Sequence, residues 1–165
     1  MDPLVAHFQR MAAYNEVANQ RLYAAVARLP PAEFVRERPA FFGSIRGVLN
    51  HILVGDRIWL ARFEGRVVPS TGLDAMPFPE FADLREARAA EDARIRAFAD
   101  RLTPAALAGE IRHVDNEGRD MADPVAVLVA HFFNHQTHHR GQAHDLLSQT
   151  SVALPVLDLH RCLNP

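Results

Sequence analysis

The chain has 165 residues, 48% hydrophobic and 23% charged, with net charge −2; all 18 basic residues are arginines, spread along its length. This is ordinary globular composition, enough for one domain over 1–165, and the lack of a basic stripe excludes a nucleic-acid partner. The lone cysteine, Cys162, forbids an internal disulfide and fits a cytoplasmic protein, and no signal pattern or apolar run near about 18 residues points to a membrane.

Asp2-Pro3 reads as an N-cap followed by proline at the first helical position. It predicts a helix over 3–29, ended by Pro30-Pro31. Phe8, Ala12, Leu22 and Val26 mark its apolar stripe, with Asn15, Asn19 and Tyr23 on the same side. Amides facing a core must be hydrogen-bonded, so Asn15 and Asn19 either tie helices together or line a site.

Ser44 caps a second predicted helix over 44–65. His51 shares a face with Val48, Gly55 and Trp59, while Arg46, Asn50 and Arg57 fall opposite. Asp56 lies near the buried side, within reach of a supporting role beside a metal ligand, although an ion pair with an arginine is the simpler use. Residues 65–79, with three prolines and two glycines, suit a crossover between parallel helices. A third helix is expected over 79–102 from Phe81, Leu84, Ile95, Phe98 and Leu102. Arg88 and Glu91 interrupt that stripe, so its middle should be polar, or face a cavity or another subunit.

After Thr103-Pro104, the run Glu110–Val114, the turn Asp115–Gly118 and Arg119–Met121 read as a small hairpin or extended loop, with His113 exposed. Asp123-Pro124 repeats the cap-plus-proline signal and starts the last helix, 124–148. The apolar tail 152–163 is expected to dock on the bundle or on a partner. The fold class is all-α, a bundle of four long helices with a hairpin before the last.

The fourth helix carries the chemistry. Five of the chain's nine histidines lie between His131 and His144. At roughly 100° per residue, His135 and His139 stack one turn apart on one face. With Leu128, Phe132, Met121 and Leu146 taken as the buried stripe, His139 falls inside it and His135 at its edge. His131 and His138 lie to one side and His144 points away. Buried histidines usually serve as hydrogen-bonded core residues, and alone His51 reads that way. Two on an inward face one turn apart are costly without a shared purpose, and His51 on another helix supplies a third imidazole. His51, His135 and His139 therefore describe an open metal site, with Asn19, Tyr14, Trp59 and Arg140 expected to line or support the pocket. No Glu follows His131 as a zincin needs, no helix supplies the Glu-x-x-His pairs and further inward Glu of a di-iron bundle, and no phosphate loop or nucleophile elbow is present.

The segments YNEVANQRL, GSIRGVLNHILVGDRIWLARFEG and FNHQTHHRGQ, spanning nearly the whole chain, resemble the DinB family of damage-inducible bacterial proteins, also called YfiT-like. The resemblance implies an up-down-down-up bundle and a metal triad of one histidine on the second helix with a His-x-x-x-His on the fourth. These map onto His51, His135 and His139. It also implies a homodimer and a divalent ion, zinc or nickel. The activity implied is transfer or isomerisation using a low-molecular-weight thiol, or hydrolysis; a non-catalytic binder of metal or small ligands is the alternative.

Overall fold

The computed structural model describes residues 2–70, 72, 74–115 and 117–164; Asn116, in the expected hairpin turn, lies outside them. The elements run α1 (Pro3–Val26), α2 (Pro31–Val35), α3 (Ile45–Phe63), α4 (Phe81–Asp100) and α5 (Pro104–Leu107). They continue with β1 (Glu110–Val114), β2 (Asp120–Pro124), α6 (Val125–Ser148) and α7 (Leu159–Leu163).

Caps place the helix starts. The Asp2 carboxylate accepts from the N–H groups of Leu4 and Val5, and the Ser44 hydroxyl accepts from Gly47 N–H. Two starts depart from expectation. Pro31 opens the separate short helix α2, and α1 ends earlier than expected, at Val26. Asp123 does not cap α6: it sits in β2 opposite Ile111, and its carboxylate takes up His113 Nε2 at 3.0 Å. His113, expected to be exposed, has a side chain only 9% accessible, because the ring tucks between Asp123 and Trp59. Met121, counted on the helical stripe, also belongs to β2.

Contact registers give the helix directions. Between α3 and α6, His51 meets His139 and Phe63 meets Phe132, an antiparallel pairing. Between α1 and α4, Tyr23 meets Phe81 and Arg96 reaches the Gln9 carbonyl, also antiparallel. Between α3 and α4, Asn50 bonds Phe78 and Glu64 bonds Arg94, so these run parallel across the crossover. Phe8–Phe133 and Asn15–Arg140 make α1 and α6 parallel. The sequence of directions is up, down, down, up.

The interior is apolar at both ends and ionic in the middle. One cluster gathers Leu22, Val26, Leu49, Leu53, Leu84 and Leu147, the other Phe8, Leu60, Ile95, Phe98, Phe132 and Phe133. Between them each long helix contributes buried polar groups: Asn15 and Asn19, Asp56, Arg88 and Asp92, Gln136 and Arg140. Asp56 pairs with Arg88 and accepts from Gln136 Nε2 at 2.8 Å. Asp92 pairs with Arg88 at 3.1 Å and accepts from the Asn15 and Asn19 amides, whose oxygens take Arg140. Two acidic side chains face two guanidiniums, and burial raises the pKa of both acids, so each of these side chains is hydrogen-bonded or paired where water cannot reach. The interruption of the third stripe is resolved here: Arg88 faces the bundle interior, and Glu91 pairs with Arg57 and Arg94. Asn50, assigned to the outer side, is fully buried because the crossover folds over it and bonds it through the Phe78 backbone.

The tail docks on its own chain. Tyr14 Oη donates to the Leu157 carbonyl, Arg21 reaches the carbonyls of Val156 and Arg161, and Cys162 is buried beside Tyr14 and Ala18. Among the described residues no helix is long and apolar enough to cross a membrane.

Candidate metal centre

The antiparallel register of α3 and α6 sets two turns of each helix face to face. His51 lies against His139, with ring centroids 4.3 Å apart, and His135 lies 4.3 Å from His139 and 5.1 Å from His51. One turn beyond His51 the partner of His135 is Gly55, where a Cβ would come within 2.8 Å of the His135 Cε1. Glycine here is a matter of space: a side chain would require the His135 ring to shift. His51, His135 and His139 each offer a nitrogen within 4.8 Å of the others, and His51 Nε2 and His139 Nε2 are 3.1 Å apart.

Neighbours fix the rings. Phe42, from the loop before α3, stacks on His51 at 4.0 Å between centroids and meets His139 edge-on at 5.4 Å. Gln142 Oε1 lies 2.7 Å from His139 Nδ1. A carbonyl oxygen only accepts, so Nδ1 carries the proton and the Nε2 lone pair faces His51. His135 Nδ1 is buried without a hydrogen-bond partner. Burial, then the surrounding histidines, push His135 down to about 3. Burial also lowers His139, against the raising effect of Gln142, and lowers His131.

These residues fit a divalent transition metal. Two nitrogens on one ion, each at ~2.0–2.1 Å, sit roughly 3–3.5 Å apart, which matches the observed Nε2–Nε2 spacing. Imidazoles held neutral are the form that coordinates, and an all-imidazole set suits zinc, nickel, copper or iron over magnesium or calcium. The three rings form one wall of a cleft of about 530 Å³, completed by Phe41, Phe42, Ile58, Trp59, Arg62, His131, His138 and Gln142.

The other expected site residues are distributed differently. Trp59 lines this cleft, edge-on to His131 at 5.3 Å. Asn19, Asp56 and Arg140 belong to the ionic belt behind the histidines, with Asp56 in the ion pair rather than against an imidazole. Tyr14 packs beneath the Arg140 guanidinium, 5.0 Å from ring centre to Cζ, in a separate groove facing the tail. His138 reaches the cleft margin, and His144 is engaged with the Pro155 carbonyl. Gln142 and Phe42 escaped the sequence reading. Gln142 carries a usable signal, three residues beyond His139 on the same helical side; Phe42, in a loop, carries none.

Comparison with known proteins agrees with the fold. The chain is similar to Protein DinB of Bacillus subtilis strain 168, 28% identical over 145 residues, covering 85% of this chain and 84% of that protein. Its fold is similar to the crystal structure of a DinB-like protein from Bacillus cereus ATCC 10987, with TM-score 0.61 and 21% identity, covering 84% of this chain and 89% of that one. The family model described as DinB family matches residues 4–164, and the chain belongs to the DinB family.

Proposed function

We propose that this protein is a metal-dependent enzyme that joins a low-molecular-weight thiol to a small electrophile, with His51, His135 and His139 holding a zinc or nickel ion. The observation that carries the reading is the convergence of three imidazoles on one wall of an apolar cleft to which, among the described residues, no carboxylate or thiol contributes. A bound divalent ion supplies a Lewis acid that lowers the pKa of a thiol enough to make it a nucleophile at neutral pH. In the transfer a sulfur–carbon bond forms, the bond from carbon to its leaving group breaks, and the thiol proton departs with that group. Phe41, Phe42, Ile58 and Trp59 exclude water around the reacting carbon, and Gln142 holds the proton on His139 Nδ1.

Hydrolysis in the same pocket is the second reading. It is favoured by His131, which lies at the cleft margin with its pKa lowered by partial desolvation, the direction that suits a base removing a proton from attacking water. The experiment is a screen of zinc- and nickel-loaded protein for consumption of thiols against a panel of electrophiles, with ester and amide substrates alongside. Metal-dependent thiol loss supports transfer, ester cleavage supports hydrolysis, and inactivity with retained metal leaves a binding protein.

We also propose a cytoplasmic homodimer. Support comes from the DinB resemblance and from Leu154, Val156 and Leu159, which stay exposed on the docked tail. The interrupted face of α4 offers no further support, since it is satisfied inside the bundle. Light scattering at micromolar concentration tests it, and a monomer there removes it.

A further inference from the structure

We infer that Arg62 anchors a carboxylate at the end of the metal cleft away from His51, so that the cleft takes a monoanion with an apolar body. The inference rests on the thiol-enzyme reading for what happens at the ligand's other end, and on the cleft alone for the anion.

Arg62 is the one cleft-lining residue with a permanent charge, and no Asp or Glu lines the cleft among the described residues. Its guanidinium folds back over Trp59, Cζ 4.6 Å from the ring centre, and Nη2 donates to the Val114 carbonyl at 2.9 Å. These contacts hold the group in place while leaving most of its five N–H donors unused. The nearby acids are committed elsewhere. Glu64 is shared by Arg66, Arg94 and Arg101, Glu91 pairs with Arg57 and Arg94, and Asp123 holds His113. No carboxylate among the described residues pairs with Arg62. A half-buried guanidinium without a counter-charge is paying desolvation that an incoming anion would offset, and burial already pushes its pKa down.

The surroundings define the rest of the ligand. Phe41, Phe42, Ile58 and Trp59 form apolar walls between Arg62 and the imidazoles. Arg62 lies seven residues beyond Gly55, about 10 Å along the helix axis, and its side chain returns over one turn. The anion therefore sits roughly 5–10 Å from the end of the ligand near His135. A single fixed cation matches a carboxylate in charge better than a phosphate dianion, and the planar fork of arginine matches it in shape.

The test uses 6-mercaptohexanoate, its neutral amide 6-mercaptohexanamide, hexanoate and hexyl phosphate as probes. Zinc-loaded protein is titrated with each, following the fluorescence of Trp59, the chain's one tryptophan. The expected result is that 6-mercaptohexanoate binds about tenfold more tightly than the amide, the scale of one charge-assisted hydrogen-bonded pair. Arg62→Gln should erase that preference while leaving amide binding unchanged, and Arg62→Lys should keep part of it. Thermal melting of each variant checks that the hairpin still docks. Equal binding of acid and amide, a preference that survives Arg62→Gln, or no binding of any probe overturns the inference. Tighter binding of hexyl phosphate than of hexanoate overturns the carboxylate assignment. If hexanoate binds as well as 6-mercaptohexanoate, the anion site stands and the thiol reading fails.

Discussion

Gly55 and His135 are in mutual steric contact across α3 and α6, so the absence of a side chain at one position sets the position of the ring at the other. Gly55→Ala should favour the helix by up to about 1 kcal/mol in propensity yet displace His135. We expect zinc affinity to fall roughly 10–100-fold, the range for losing support of a metal ligand, with the fold retained. Competition against a chromophoric chelator, alongside a thermal melt, checks this; wild-type affinity in the variant would mean that His135 is not a ligand.

The histidines should divide into two groups. Alanine at His51, His135 or His139 should abolish stoichiometric zinc, while alanine at His131, His138 or His144 should leave it bound. His138 is the discriminating case, since it reaches the cleft margin and could chelate with His135 at a spacing of three residues. Elemental analysis decides: retention in His139→Ala with loss in His138→Ala would reassign the site.

The metal-free protein should show a pH signature. His135 is held at about 3 by burial, then by the other histidines, against roughly 6.5 when unfolded. Between these values the unfolded chain binds a proton that the folded chain does not, so this group's contribution is complete above about 6.5 and is lost as pH falls. Asp92 acts in the opposite direction. Burial raises it to about 7 despite Arg88, so the folded chain keeps a proton there that the unfolded chain has released. On going from pH 7 to pH 5, chelator-treated wild type should therefore lose Tm relative to chelator-treated His135→Ala. Parallel Tm curves for the two proteins would contradict the assignment.

Asp56→Ala should be among the most damaging single changes. It leaves the buried Arg88 guanidinium with Asp92 alone and removes the acceptor of Gln136, a loss of about 3–5 kcal/mol in urea unfolding. Replacing both ions together, Asp56→Leu with Arg88→Met, should cost less, because no guanidinium is left stranded and Asp92, which loses Arg88, is already pushed by burial towards its neutral form. A double variant as unstable as the single one would show that the pair itself, rather than the orphaned partner, carries the energy.

Periodicity and capping chemistry located the long helices and the hairpin, because Asp2, Ser44 and the proline breaks act locally. What they missed depends on partners distant in sequence. Gln136 and Arg140 occupy the centre of the buried face of α6, where a stripe drawn from apolar residues alone places nothing polar. The stripe was also skewed by Met121, which lies in β2. His135 and His139 consequently flank the buried face and look into a cleft, rather than lying at its centre. Asp123 shows the same limit: its spacing to Pro124 suits a helix cap, but His113 on the neighbouring strand claims the carboxylate.

The ionic belt also acts as an alignment key. Asp56 follows Gly55, Gln136 follows His135 and Arg140 follows His139, so the turns that present the imidazoles also carry the belt. Sliding α6 by one turn, about 5.4 Å, would separate the imidazoles and take Gln136 from Asp56 and Arg140 from Asn15 at once. An apolar interior would tolerate that slip far better, since greasy surfaces interlock in several registers. A redesign that swaps the belt for leucines could thus raise the melting temperature and still blunt the metal site, by trading one sharply defined alignment for several nearly equal ones.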